Sequence, residues 1–214
     1  MDIKKFVLSY YSNATEDFHI NEINKPGEAL SLHNHEYYQI YYLKRGRLIH
    51  HLETGSAELK TRDVFIIPPN LPHYIETASK DLCFYSISFM PSYIAENIKT
   101  NKFVADFIHC ITDLSHEGVE PSLTLMSEDI ELTDTLVSKI MQEFSGNMTG
   151  KDTLIKSSLL LLLSIFARAY LDERFENMRF ASEREAILHC LGYIKNHLSE
   201  QITLDEIAKR TAMS

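Results

Sequence analysis

The segment His33-Asn34-His35-Glu36-Tyr37-Tyr38-Gln39 places two imidazoles two residues apart, with an amide further along. Side chains of a strand alternate between faces. An extended segment here puts His33, His35, Tyr37, Gln39 and Tyr41 on one side. Imidazoles beside a polar group can hold a metal or hydrogen-bond an oxygen-rich ligand inside a barrel. His73 follows the Pro-rich turn Pro68-Pro69-Asn70-Leu71-Pro72 and is placed to fold back onto the same site. The aromatic faces of Tyr37 and Tyr41 suit a sugar or an aromatic metabolite. Lys44-Arg45-Gly46-Arg47 offers cations to a phosphate, but a solvated turn is the better reading. The G-x-S-x-G elbow, the phosphate loop and the dinucleotide fingerprint are absent from the sequence, so other enzyme chemistry is unsupported.

The elements that must position these residues fall into blocks. A chain of 214 residues holds one or two domains. With 44% hydrophobic and 24% charged residues it is globular rather than disordered. Residues 1–91 carry β signals. Tyr37 to Leu43 ends at the turn Lys44-Arg45-Gly46, and Arg47 to Leu52 follows. Glu53-Thr54-Gly55-Ser56 is a second turn, with Gly55 suited to positive φ. Ala57 to Lys60, Val64 to Ile67 and Leu82 to Phe89 complete a series of short strands that predicts an antiparallel barrel or jelly roll. The N-terminal arm, with Phe6, Tyr10 and Tyr11, reads either as a lid or as a first strand.

Residues 92–173 switch to a helical period. Phe103, Val104, Phe107, Ile108 and Ile111 share one face, as do Leu136, Val137, Ile140, Met141 and Phe144. Leu154 to Leu171 is apolar on nearly every side and holds the leucine run Leu159–Leu163. Such a helix must be buried. A small barrel is too little cover for it, which points to a homodimer interface; the alternative is an ordinary core helix. Residues 174–185 are charged and aperiodic and read as a linker. In residues 186–214, Ile187, Leu191, Ile194 and Leu198 line one helical face. Thr203-Leu204-Asp205-Glu206 is a capping box opening another helix.

The net charge of -9 argues against nucleic-acid binding by bulk electrostatics. Cys83, Cys110 and Cys190 form no CxxC pair and read as reduced thiols of a cytoplasmic protein. The N-terminus lacks the apolar core of a signal peptide. The longest uncharged apolar run, Ser157 to Ala167, falls short of the about 20 residues that a membrane span needs.

Two sets of residues carry a family resemblance. His33-x-His35, Gln39 and Gly46, then Asp63, Pro68-x-Asn70 and His73, resemble the paired motifs of cupins. That resemblance implies a double-stranded β-helix barrel with its site inside. Cupin enzymes usually place Glu where Gln39 stands, and Gly at the positions of Arg62 and Asn70. An amide adds less than a carboxylate to a divalent cation held by histidines, so no resident metal is favoured; were one bound, His33, His35, Gln39 and His73 would hold it. Tyr193-Ile194-x-x-His197, Ile202 to Ala208 and Met213-Ser214 are similar to the start of the DNA-binding domain of AraC-family transcription regulators, a bacterial family.

The order of parts matches that family along the whole chain. It implies an α+β protein: a cupin-like antiparallel barrel (1–91), a helical dimerisation segment (92–173), a linker (174–185) and an incomplete helix-turn-helix (186–214) without its recognition helix. The resemblance implies an effector-binding and dimerising portion of a regulator, not an enzyme. A small molecule would contact His33, His35, Tyr37, Gln39, Tyr41 and His73. Operator DNA is then a partner of the full-length protein only, and the 214-residue chain is expected to bind no specific operator. The rival is a cupin metalloenzyme, a dioxygenase or isomerase, using His33, His35 and His73. A third reading is a barrel merely filled by Tyr and His, in which the domain only dimerises.

Overall fold

A computed structural model describes residues 3–10, 17–24, 31–116, 122–172 and 203. The chain divides into two compact units, Met1–Ala169 and Tyr170–Ser214. The linker and the helix-turn-helix start, 174–214, lie outside the described residues apart from Thr203.

The alternating runs form two five-stranded sheets. One sheet contains, in spatial order, β1 (Lys4–Phe6), β3 (His33–His35), β8 (His73–Thr77), β5 (Arg47–Leu52) and β6 (Gly55–Lys60). The other contains β10 (Ser122–Thr124), β7 (Asp63–Ile67), β4 (Tyr38–Arg45), β9 (Cys83–Phe89) and β2 (Phe18–Ile23). Antiparallel pairing puts directly opposed residues on one face. In the second sheet Gln39 opposes Ile67 and Ser88, Tyr41 opposes Phe65 and Ser86, and Leu43 opposes Phe84. In the first, Leu48 opposes Leu59, and His50 opposes Ile75. These faces meet in one core of Tyr41, Leu43, Leu48, Leu59, Phe65, Ile67, Leu71, Ile75, Leu82 and Phe84.

The other face of the second sheet carries helices α1 (Pro91–Thr100), α2 (Lys102–His116) and α3 (Ser127–Ser145), and α4 (Lys151–Asp172) contacts α1 and α3 through Lys156 and Arg168. Phe18 stacks on Tyr93 of α1 at 5.2 Å and meets Phe144 of α3 edge-on at 5.7 Å. Tyr42 donates to Asp134 of α3 at 2.8 Å. Asn101 ends α1 and caps α2, its side-chain oxygen accepting from the Val104 N–H at 3.2 Å. Asp129 of α3 is buried and ion-paired to Arg168 of α4.

Four expectations change. The segment 92–173 is not wholly helical, because Ser122–Thr124 adds an edge strand to β7. Gly55 is not in the left-handed region; it opens β6 opposite Leu52 after the turn at Glu53-Thr54. Positive φ falls instead on Gly46, Gly150, Arg62 and Asn70, the last two being where cupins usually carry Gly. The leucine run is partly covered within the chain: Leu159, Leu162 and Leu163 are fully buried in the domain, whereas Leu161 is 44% exposed. By length and composition α4 is long and apolar enough to cross a membrane, with mean hydropathy 1.7, but Ile155, Leu159, Leu162, Leu163 and Phe166 belong to the core.

Gly46 has φ +93°, and a Cβ there would stand 2.4 Å from the Asp81 carbonyl oxygen and 3.0 Å from Leu82 Cα. Neither backbone atom can yield cheaply. Gly46→Ala is expected to destabilise the fold by about 2–4 kcal/mol, from left-handed strain plus overpacking. Urea unfolding would measure it, and a loss near zero would contradict the tight approach of this turn to the Asp81 strand entry.

Candidate functional site

β3 and β8 bring three histidines together at one end of the barrel. His33 opposes His73 across the pair. The ring centroids lie 4.4 Å apart for His33 and His73, and 5.0 Å for His35 and His73. His35 and His73 are completely buried. Gln39 enters from β4, also buried, and donates its side-chain N–H to Ser86 Oγ at 3.0 Å. Tyr37 stacks on His35 at 4.3 Å with nearly parallel rings. Tyr41 lies deeper, edge-on to Phe84 at 5.3 Å.

The six expected residues are therefore all buried, although not along one strand. β3 stops at His35, and a bend at Glu36-Tyr37 passes the chain to β4 in the other sheet. His33 and His35 belong to one sheet, Gln39 and Tyr41 to the other, and Tyr37 sits on the bend between them.

A fourth imidazole joins the cluster. His50 of β5 is fully buried, 5.4 Å from the His73 ring and 4.0 Å from Phe65. Ser86 and Ser88 of β9 line the same face as Gln39. The Leu48-Ile49-His50-His51-Leu52 alternation carries the signal for His50: the position between Leu48 and Leu52 on the inner face is His50. His51 points out and stacks on Tyr74 at 4.2 Å.

Each expected histidine is anchored by a backbone carbonyl. His33 Nδ1 lies 2.9 Å from Ser31 O, His35 Nδ1 2.7 Å from Tyr37 O, and His73 Nδ1 2.9 Å from Leu71 O. Burial lowers the pKa of His33, takes His35 down to about 4 and puts His73 well below the usual imidazole range. Loss of hydration disfavours the charged ring, and the neighbouring imidazoles add to the effect. The interior is thus a neutral polar cluster near neutral pH. Nε2 of His35, Nε2 of His73, Oε1 of Gln39 and Oγ of Ser88 have no hydrogen-bond partner among the described residues.

The cupin resemblance raises a metal on His33, His35, Gln39 and His73. Among the described residues no group of three or more His, Cys, Asp or Glu is arranged to hold a metal ion. The Gln39 amide nitrogen is turned to Ser86, which leaves its oxygen for a ligand, and the cluster holds no carboxylate to neutralise a dication.

The N-terminal arm forms a strand. β1 runs parallel to β3, Phe6 opposite His35, and the Phe6 ring meets His33 edge-on at 4.7 Å. Tyr10 follows, mostly exposed, 6.4 Å from Phe6. Tyr11 lies outside the described residues. The basic turn is spoken for: Lys44 pairs with Asp134 at 2.6 Å, Arg45 with Asp81 at 2.6 Å and Arg47 with Glu58 at 3.0 Å. A phosphate would have to displace three carboxylates.

Comparison with known proteins places this geometry. Among solved structures the chain is similar to KdgF from a Halomonas species, with 23% identity over 35% of this chain and 71% of that one, at a TM-score of 0.32. A cupin-like protein from Thermotoga maritima shares 27% identity over 36% of this chain and 61% of that one, at a TM-score of 0.33. The apo form of a ToxT variant from Vibrio cholerae shares 14% identity over 92% of this chain and 71% of that one, at a TM-score of 0.45. No curated protein gives a significant sequence match. Residues 20–164 match the AraC-like ligand binding domain. That span runs from β2 to the leucines of α4 and takes in the whole histidine cluster, so the chain belongs to the family of AraC-like ligand binding domains.

Proposed function

We propose that this chain is the effector-sensing and dimerising part of an AraC-type transcription regulator of the cytoplasm, and not an enzyme. A small molecule enters the barrel and is held by His33, His35, Tyr37, Gln39, Tyr41 and His73. Its binding biases how the barrel and the helices of 92–173 pack, and so controls operator binding by a C-terminal helix-turn-helix domain in the full-length protein. Homodimerisation runs through those helices, no membrane is involved, and no resident metal is needed.

The observation that carries this reading is the set of buried polar atoms without partners in the interior. An unpaired buried acceptor costs about 1–3 kcal/mol. A barrel that merely filled itself would use Leu and Phe at these positions, as it does in the core beneath them.

Thermal denaturation against a library of small metabolites tests the proposal. At least one compound is expected to raise the melting temperature of the wild type. His73→Ala and Gln39→Leu should each weaken that response by about tenfold in apparent affinity. A stabilising compound that acts equally on both variants would place its site elsewhere and overturn the assignment. So would a complete absence of stabilising compounds.

A further inference from the structure

Helix α3 carries two carboxylates that face different neighbours. Asp129 and Asp134 are five residues apart, and at about 3.6 residues per turn that spacing rotates a side chain by about 140°. Asp134 looks to the sheet. The Tyr42 hydroxyl donates to its Oδ1 at 2.8 Å, and the Lys44 ammonium lies 2.6 Å from its Oδ2. Both oxygens are thus engaged by one strand, β4. Burial, then the bond to Asp134, pushes the Tyr42 phenol above its usual range, so its hydroxyl stays a donor. Lys44 stands where the register of β4 against β9 shifts, between Leu43 and Arg45. A bulge re-aims a side chain, and this one delivers Lys44 to α3. Asp129 looks the other way: it is buried in the first turn of α3 and ion-paired to Arg168 of α4.

β4 is also a strand that lines the interior. Gln39 and Tyr41 alternate along it with Tyr38 and Tyr42, which turn to the helices. The Tyr38 hydroxyl lies 3.3 Å from Thr112 Oγ1 of α2, and Tyr42 reaches α3. A strap runs beside this strand. The Arg62 N–H donates to Leu43 O at 2.8 Å, and Arg62 O accepts from the Leu125 N–H at 3.1 Å. The Thr124 hydroxyl donates to Asp63 Oδ1 at 2.6 Å. Leu125 lies two residues ahead of α3, whose N-cap residue Met126 makes no side-chain cap. The start of α3 is therefore held by the sheet rather than by a cap of its own. At the far end, Arg168 directly precedes Ala169, the last residue of the first compact unit.

On the sensor reading above, we infer that α3 is its transmission element: Asp134 couples the ligand-lining strand β4 to α3, and Asp129 couples α3 to the C-terminal end of α4, where the chain leaves the sensing unit. An occupant of the barrel that displaces β4 moves Tyr42 and Lys44, and α3 with them. Each side-chain link is a hydrogen bond or an ion pair, so the relay can be cut at a single residue. Asp134 and Asp129 stand outside the barrel and are positioning residues.

Hydrogen–deuterium exchange of the full 214-residue chain tests the relay, with Gln39→Leu as the probe. That substitution alters the interior face of β4 and leaves α3 untouched. It is expected to change exchange of the amides in residues 165–172 by about fivefold or more, the lower end of ordinary coupling between sites. In an Asp134→Asn background, and in an Asp129→Asn background, the same probe should change exchange there by less than about twofold. A tie that only stabilises the fold would shift the baseline of each background and leave the response to Gln39→Leu intact. Should Asp134→Asn fail to fold, Tyr42→Phe combined with Lys44→Met cuts the same link from the β4 side. An equal response in every background, or no response in the otherwise wild-type chain, would overturn the inference. Either result leaves the sensor reading intact, because that reading is decided by the binding of a metabolite. If no metabolite binds while exchange responds as expected, the sensor reading fails and the coupling through α3 stands.

Discussion

Below pH 6.5 the protein is expected to lose stability steeply, and the loss originates inside the barrel. The usual imidazole value of 6.5 describes the unfolded chain, whereas burial lowers His35 to about 4, His73 well below 6.5, and His33 and His19 in the same direction. Between these values the unfolded chain binds protons that the folded interior refuses. Stability rises with pH wherever the unfolded state binds more protons. The contribution of these rings is therefore complete above the unfolded value and drains away as pH falls from 6.5 through about 4. For His35 alone the shift amounts to about 3 kcal/mol, at 1.36 kcal/mol per unit. Urea unfolding across this range would show it. His35→Asn keeps an N–H for the Tyr37 carbonyl but has nothing to titrate. Its stability should fall by about 3 kcal/mol less than wild type between neutral pH and the acid limit. Parallel profiles would mean that His35 is not held neutral by burial.

Leu161→Glu is expected to turn a dimer into a monomer. One face of α4 is used within its own domain, but Leu154 and Leu161 are 43% and 44% exposed. They stand seven residues apart on the outward stripe, the spacing of a helix seam. Burying a leucine contributes about 1.5–3 kcal/mol, and twofold symmetry counts each one twice. A charge at Leu161 removes that gain and must itself be desolvated. The dimer dissociation constant should rise by about a hundredfold or more, read by sedimentation equilibrium. Phe103→Glu, on the exposed side of α2, is the control and should leave the dimer intact. If Phe103→Glu dissociates the protein and Leu161→Glu does not, the seam is on α2 and the α4 assignment is wrong.

Much of this fold is legible in the chain. Arg47–Leu52 is a strand by pattern and by structure, because its alternation is clean and turns bound it on both sides. Val64 to Ile67 and Leu82 to Phe89 are short runs too apolar to lie on a surface, and both form central or near-central strands. Other strands are silent. His73–Thr77 mixes polar and apolar residues because one face looks to solvent, and Ser122–Thr124 is an edge strand of three residues defined by pairing alone. Phe18–Ile23 interleaves His19, Asn21 and Glu22 with apolar residues. The site is partly legible for the same reason. His33, His35, Gln39 and His73 stand out by type and spacing, but His50 is hidden by its neighbour His51. The Leu48–Leu52 alternation marks His50 as the inward one, and the register of β5 opposite Ile75 agrees. The leucine run reports that a helix is buried without saying by what. Here Arg168 of α4 is tied to Asp129 of α3, and Leu161 remains exposed.

Two departures from the cupin pattern acquire a physical meaning. Arg62 and Asn70 adopt φ of 81° and 64°, where a residue without Cβ would be relaxed. Asn tolerates that region and Arg less so. Both are locked by backbone hydrogen bonds, Arg62 N–H to Leu43 O at 2.8 Å and Asn70 N–H to His35 O at 2.7 Å. The second bond ties the loop carrying His73 to the strand carrying His35, so a turn that is strained on its own holds the site together.

On the proposed function, the barrel holds a small organic effector rather than a catalytic metal. Native mass spectrometry of the full chain, purified without a histidine tag, addresses it most directly. The expected species carries no transition metal and takes up one organic ligand per chain, with that uptake lost in His73→Ala. One stoichiometric transition metal per chain, lost in His73→Ala and accompanied by no organic mass, would contradict it.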